Sequence, residues 1–152
     1  MYRIRRAHST DLETLVAFTV EGARDAVGEE RDVDAVRRGV HAGLEDPTVA
    51  TYWVVESTDH QVVGSTSVVT EWSDWHGAYY WWVQSMFIVP EHRGGGLVDL
   101  LLDELADAAR AGGALDLRLY VHNENQRALE AYRRCGFSEA PYVIMTRPLE
   151  GD

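Results

Sequence analysis

Arg93, Gly94, Gly95 and Gly96 form an arginine followed by three glycines. They lie between an apolar run, Met86-Phe-Ile-Val89, and a stretch in which Leu97, Leu100, Leu101, Leu105 and Ala108 recur at helical spacing. Glycine lets the backbone take positive φ and come close to a ligand. A glycine-rich turn that opens a helix aims several unbonded N–H groups, and the positive end of the helix dipole, at one point. The chemistry of such a point is anion binding, here by main-chain donors from Arg93 to Val98. Two familiar cradles are excluded by spelling. No Lys-Ser or Lys-Thr follows the last glycine, as a P-loop requires, and no G-x-G-x-x-G opens an N-terminal βαβ unit.

The elements that must position this turn can be read in chain order. Tyr2 to Arg6 reads as a short strand, and Thr10-Asp-Leu-Glu13 as a capping box opening a helix with Leu12, Leu15, Val16 and Ala23 on its apolar face. A second helix starts at Asp32, carries Val33, Val36, Val40 and Leu44 on one face, and stops at Asp46-Pro47. Ala50–Glu56 and Gln61–Glu71 form a hairpin around Ser57-Thr-Asp-His. A connection at Trp72–Gly77 leads into a long strand, Tyr79–Val89, where strict alternation places Tyr80, Trp82, Gln84, Met86 and Ile88 on one face; a bulge would reset that register. Pro90, without an N–H, ends it. Arg110-Ala-Gly-Gly113 closes the leucine-striped helix. Leu115–Val121 is the next strand. Asn125 is placed to cap a helix that presents Ala128, Tyr132 and Cys135 on one face and ends at Gly136. Tyr142–Pro148 reads as a last strand.

Two stretches resemble one family. Ile88-Val-Pro-Glu-His-Arg-Gly-Gly-Gly-Leu-Val98 is similar to the acyl-CoA signature of the GNAT superfamily of N-acetyltransferases, Arg/Gln-x-x-Gly-x-Gly/Ala. Leu119-Tyr-Val-His-Asn-Glu-Asn-Gln-Arg-Ala-Leu-Glu-Ala-Tyr-Arg-Arg-Cys-Gly-Phe137 resembles the family's second motif. The resemblance implies a single α/β (α+β) domain over residues 1–152, with a mixed, mostly antiparallel, twisted sheet of six or seven strands and about four helices. It implies acetyl-CoA as co-substrate and no metal. The diphosphate would lie on the amides of Arg93, Gly94, Gly95, Gly96, Leu97 and Val98, and the pantetheine arm along Met86, Phe87 and Ile88, with Asn125 a further contact. It places Tyr132 as general acid, since a phenol of ordinary pKa near 10 keeps its proton at neutral pH and can give it to a thiolate. The implied reaction is direct acetyl transfer to a primary amine in a ternary complex.

The chain departs from the family pattern in two respects. Val98 stands where Gly or Ala is usual. Trp82 and Tyr120 occupy the positions where many relatives carry the general base, which leaves Glu71, His76 or His122 through water, or the neutral fraction of the amine itself. A non-catalytic acyl-CoA-binding or sensing module is the alternative. The helical pair flanks the acceptor pocket in the resemblance, so Glu29 and Glu30 are weighed as ammonium ligands against solvated loop charges. Glu71, Trp75 and Trp82 are the substrate-side candidates. The aromatic cluster from Trp72 to Trp82 suits an acceptor pocket, a packed sheet or a homodimer interface equally.

Composition sets the outer bounds. At 152 residues the chain is one domain with an adequate core, and no apolar run approaches the length of a membrane span. The lone Cys135 excludes an internal disulfide and, with no signal-like segment behind Arg3, Arg5 and Arg6, leads to the expectation of a cytoplasmic protein. Cys135 is expected to pack in its helix rather than react. With 25 acidic against 14 basic residues, the net charge of −11 repels nucleic acid and attracts a cationic amine.

Overall fold

A computed structural model describes residues 1–150. Its strands are β1 (Arg3–Arg6), β2 (Thr51–Glu56), β3 (Val62–Ser73), β4 (Ala78–Ile88) and β5 (Leu117–Leu119), and its helices are α1 (Leu12–Val27), α2 (Val33–Glu45), α3 (Leu97–Ala111) and α4 (Gln126–Arg134). The strands form one sheet in sequential order, antiparallel from β1 to β4, with β5 parallel to β4. This is a mixed α/β fold, and its five strands replace the six or seven expected. Tyr142–Pro148, read above as a strand, lies in none. Its apolar run has strand character, but nothing among the described residues pairs with it.

The sheet buries both faces. On one side Leu97, Leu101, Leu102 and Leu105 of α3 pack on Trp53, Val55, Val68, Val83 and Ile88, with Tyr132, Cys135 and Phe137 joining from α4 and its exit. On the other, Leu15 and Val16 of α1 and Val40 of α2 close over Val54. Two glycines set how close the layers come. A Cβ on Gly43 of α2 would sit 2.8 Å from the Tyr52 ring, and one on Gly64 of β3 would sit 2.7 Å from Ile88 Cδ1 and 3.0 Å from the Phe87 carbonyl oxygen.

The start of α1 differs from the capping box read from Thr10 and Glu13. The helix begins at Leu12 after a 3-10 turn, and it is the Asp11 carboxylate that accepts the His8 N–H at 2.7 Å. The same carboxylate receives both arms of Arg5, at 2.9 and 3.1 Å, while Glu13 turns outward to Arg37. Proximity to β1 decides the matter, because Asp11 is buried beside Arg5 whereas Thr10 and Glu13 face solvent. Burial by itself pushes the Asp11 carboxyl up, but the hydrogen bonds from Arg5 and His8, with their charge, outweigh it and hold the group below its ordinary 3.8. The second helix, α2, follows Asp32 as expected, and the Asp32 carboxylate caps it by accepting from Asp34 N–H at 3.0 Å.

The decisive departure lies in β4. Ser67 pairs with Ser85 but Val68 pairs with Val83, so Gln84 is an unpaired bulge residue. Before it, Trp81 and Val83 face α3; after it, Met86 and Ile88 do. Tyr80 and Trp82 therefore point to the opposite face from Met86 and Ile88, and the single alternating register does not hold. The expected strand Leu115–Val121 shrinks to Leu117–Leu119, whose ladder to β4 ends at Val83, the residue before the bulge.

Two stability predictions follow from this packing. Gly64→Ala forces a methyl against the Phe87 carbonyl and is expected to cost about 1–3 kcal/mol in chemical denaturation. Asp11, depressed in the folded state, contributes stability that is present above its ordinary value of 3.8 and is lost as pH falls through the lowered one. Melting temperature is therefore expected to fall as pH drops below about 4, and Asp11→Asn should flatten that part of the curve.

Candidate functional site

Past Val83 the two parallel strands part, and a cavity of about 260 Å³ opens between them. Gln84, Ser85 and Met86 form one wall, Tyr120, Val121 and His122 the other, and Asn125, Ala128 and Tyr132 of α4 the floor. Sequence reading had placed Met86, Asn125 and Tyr132 here. Gln84, Ser85 and Ala128 were missed as lining residues because their positions depend on a bulge and on the parting of two strands.

Main-chain donors line the β4 wall. Val89 N–H donates to the Val63 carbonyl at 2.9 Å, and antiparallel bonding alternates along the strand. The N–H and C=O groups of Phe87 are thus turned toward β3, while those of Met86 and Ile88 face the side that β5 has left. The Ile88 carbonyl confirms the phase, since Arg93 Nε donates to it at 2.7 Å from that side. Phe87 accordingly stands apart from Met86 and Ile88: its main chain serves the sheet and its ring packs on Phe18, centroids 4.9 Å apart.

The glycine turn continues the same edge. Pro90–His92 forms a 3-10 turn, Gly94 and Gly96 both take φ of +84°, and Gly96 is the N-cap of α3. Among the described residues, no protein acceptor takes the N–H of Gly94, Gly95, Gly96, Leu97 or Val98. Arg93 differs from these five. Its N–H goes to the Pro90 carbonyl at 3.2 Å, and its guanidinium, besides holding Ile88 O, pairs with Asp25 of α1 at 2.9 Å and lies over the Phe87 ring. Arg93 thus braces the turn instead of reaching into it. Val98 packs its side chain against the α3-side core, leaving its amide at the helix opening.

Tyr132 is mostly buried, with its ring edge-on to Phe137 at 5.8 Å. Among the described residues its hydroxyl has no hydrogen-bond partner, yet it is not sealed off, so it opens to the cavity. Burial, and then the neighbouring Cys135, push the phenol above its ordinary value. Asn125 caps α4 through its carbonyl, which accepts from Ala128 N–H at 3.1 Å.

The remaining candidates divide. Trp82 Nε1 donates to Glu71 Oε1 at 2.7 Å, and its ring stacks on Tyr120 with centroids 4.5 Å apart, which ties Glu71 and Trp82 to the rim of the cavity. Trp75 is not brought there. It sits 83% exposed on the β3–β4 turn, at the opposite end of β4 from the glycines, because the turn follows six residue pairs of hairpin beyond the bulge. His76 belongs to that same turn, bonded to Ser73. His122 lines the cavity, but its Nδ1 accepts from Glu124 N–H at 3.2 Å, so the neutral ring carries its proton on Nε2 and has no free lone pair to offer. Glu29 pairs with Arg31 and Glu30 with Arg24, at 2.6 and 2.7 Å, so neither stands free for an ammonium. Cys135 donates to Asp99 at 2.8 Å; burial and then that carboxylate push its thiol up to about 11. Among the described residues no group of His, Cys, Asp and Glu has the makings of a metal site, and no helix is long and apolar enough to cross a membrane.

Comparison with known proteins bears on this arrangement. Residues 13–137 match the model of the Acetyltransferase (GNAT) family. The chain is 30% identical over 112 residues to an L-amino acid N-acyltransferase of Escherichia coli K12, a match covering 74% of this chain and 64% of that protein. The matched part thus spans just under two thirds of that relative's length. Among solved structures it resembles a possible acetyltransferase from Clostridium difficile 630, with TM-score 0.91, 29% identity and 98% of each chain covered. It also shares its fold with an aminoglycoside N-acetyltransferase solved in complex with CoA, at TM-score 0.80, 16% identity, and 97% and 95% coverage.

The glycine turn yields a contrast. A Cβ at Gly95 or Gly96 meets nothing within 4 Å, but only Gly96 holds a positive φ. Gly96→Ala is expected to lose about 1–2 kcal/mol in thermal unfolding through backbone strain alone, and Gly95→Ala to stay within about 0.5 kcal/mol of the parent.

Proposed function

This chain belongs to the GNAT acetyltransferase family, and from that premise we propose that it moves an acetyl group from acetyl-CoA directly to a primary amine. The observation that carries the reading is a pair of successive sets of unused main-chain N–H groups, Met86 with Ile88 and then Gly94 to Val98, the first of them on the wall of the cavity that Tyr132 also lines.

Each group on that edge has a task. The amides of Gly94 to Val98, at the positive end of α3, suit the diphosphate of the co-substrate. Met86 offers its N–H and C=O in strand geometry to a pantetheine arm, which would take the place that β5 has left, and the Ile88 N–H lies further along the same edge. The amine nitrogen attacks the thioester carbon, and the negative charge that develops on the carbonyl oxygen is met by the Ile88 N–H. The C–S bond then breaks and the electron pair leaves with sulfur. Tyr132 gives that thiolate its proton and recovers one, through water, from the ammonium formed at nitrogen. Burial keeps the phenol protonated until this moment. Cys135 takes no part, because a thiol pushed up to about 11 supplies almost no thiolate at neutral pH.

The base is the open place in this scheme. Among the described residues no carboxylate lines the cavity, and Glu71 on its rim is held by Trp82. Direct use of the neutral amine is the reading this favours. The same observation favours a second reading, a non-catalytic acyl-CoA-binding module, which needs no base. The acceptor belongs to the proposal as well. The acidic surface draws a cation, the rings of Trp82 and Tyr120 stand at the rim, and amino acids or other small amines fit both.

CoA release measured with a panel of amines separates the two readings: turnover with any amine supports the enzyme, and saturable acetyl-CoA binding without turnover across the panel selects the module. In the enzyme, Tyr132→Phe is expected to lower kcat by 10²-fold or more, on the order of the contribution of a general acid, with less than about a threefold change in acetyl-CoA Kd. Unchanged kcat would remove Tyr132 from the mechanism.

A further inference from the structure

The sheet and helices account for the chain as far as Phe137, but the last described residues remain apart. Tyr142, Val143, Ile144 and Met145 are 69, 86, 66 and 89% exposed, and belong to no helix or strand. No hydrogen bond or ion pair ties 142–150 to the rest of the described residues. Four consecutive large apolar side chains in water are a liability that folded chains ordinarily bury. Because both alternate pairs are apolar, Tyr142 with Ile144 and Val143 with Met145, the run has the character of a strand covered on both faces.

The structure also holds a vacant seat of matching form. β5 ends the sheet, and among the described residues no strand lies on its side away from β4. Beside that edge runs a groove of about 630 Å³ between α3, β5 and the end of α4, with Leu102, Ala109, Leu117 and Phe137 in its walls. Asp103, which has no ion pair among the described residues, lines the groove, and Arg147 is the tail's one cation. Donor and seat lie in one chain without meeting. Phe137 already forms part of the groove wall, so a tail seated in its own groove would have to reverse between Ser138 and Pro141, four residues without glycine and ending in proline. A short stiff connection of this kind is satisfied by exchange between copies.

We propose that Tyr142–Pro148 of each chain is the sixth strand of a second copy, pairing with the partner's β5 edge and filling the partner's groove in a symmetric strand-exchanged dimer. Pro148, with no N–H, ends the pairing. Two seats are filled by one symmetry operation, and both β5 edges lose their exposed donors and acceptors. The element that joins the copies is thus the tail, and not the aromatic cluster of the β3–β4 hairpin. This inference stands apart from the acetyl-transfer reading, and its tests use no acetyl-CoA.

Light scattering after gel filtration should give the full chain a mass twice its 17.1 kDa, and the Val143→Asp/Met145→Asp variant a mass of one copy with unchanged far-UV circular dichroism. A second arm reads the exchange itself. Cys135 lines the groove, so a size-tagged Cys135→Ser chain carrying Val143→Cys, Ile144→Cys or Met145→Cys is refolded together with the parent chain and oxidised. A disulfide between tagged and untagged chains is expected for at least one of the three positions. A monomeric full chain, a double aspartate variant that stays dimeric, or a dimer with no crosslink at any position would each overturn the proposal. Should the aspartate variant not fold, the crosslink decides alone.

Discussion

Hydrogen-bonding capacity that the sheet does not use is what the rest of this molecule depends on. A buried strand ordinarily spends its N–H and C=O groups on both neighbours, and leaving them unmet is costly. Here one bulge residue, Gln84, ends the ladder to β5 after three pairs, and from there to Val98 the backbone faces an open edge. Unused donors at the start of α3 and others in strand geometry at Met86 and Ile88 lie along that edge in sequence. The proposed recognition by main chain would explain why the turn between them can be three glycines, which bring no side chain at all. It would also explain how Val98 is accommodated, with its isopropyl group packed against the core and its amide at the opening of α3.

Around that edge the side chains act mainly as braces. Arg93 is the clearest case, bound at once to the Ile88 carbonyl, to Asp25 of α1 and over Phe87. Trp82 is another, joined to Glu71 by its indole N–H and to Tyr120 by its ring, so that a contact spans the two strands where they begin to part. Tyr132 is the exception, a mostly buried phenol with its hydroxyl left free.

How much of this could be read from the chain depends on the range of the interactions. The glycine turn, the Asn125 cap and the hairpin of β2 and β3 are set by neighbours a few residues apart, and they are found where their local signals put them; the α3 helix is also where its leucines put it, but its buried face takes Leu102 and Ala109, and Leu100 of the expected stripe is exposed. The face assignment of β4 was not legible, because a bulge is set by the partner strand and leaves no mark on Gln84 itself. Nor was the Asp11 contact, where Arg5 on a strand outcompetes a capping pattern formed by Thr10 and Glu13. Trp75 and Trp82 look alike in sequence, seven residues apart in one aromatic run, but a hairpin sends one to its tip and the other to the cavity rim. The tail shows the limit of periodicity most plainly: Tyr142 to Met145 have the residues of a strand, and strand character says nothing of which chain supplies the partner.

The triple anchorage of Arg93 has a kinetic meaning. A loop of three glycines should writhe among many shapes in water, and a ligand would then have to wait for the right one. With the guanidinium lashing the loop's root to helix and strand beforehand, most of that ordering is complete in the empty protein. On the proposed reading, an incoming anion would meet a mould already set.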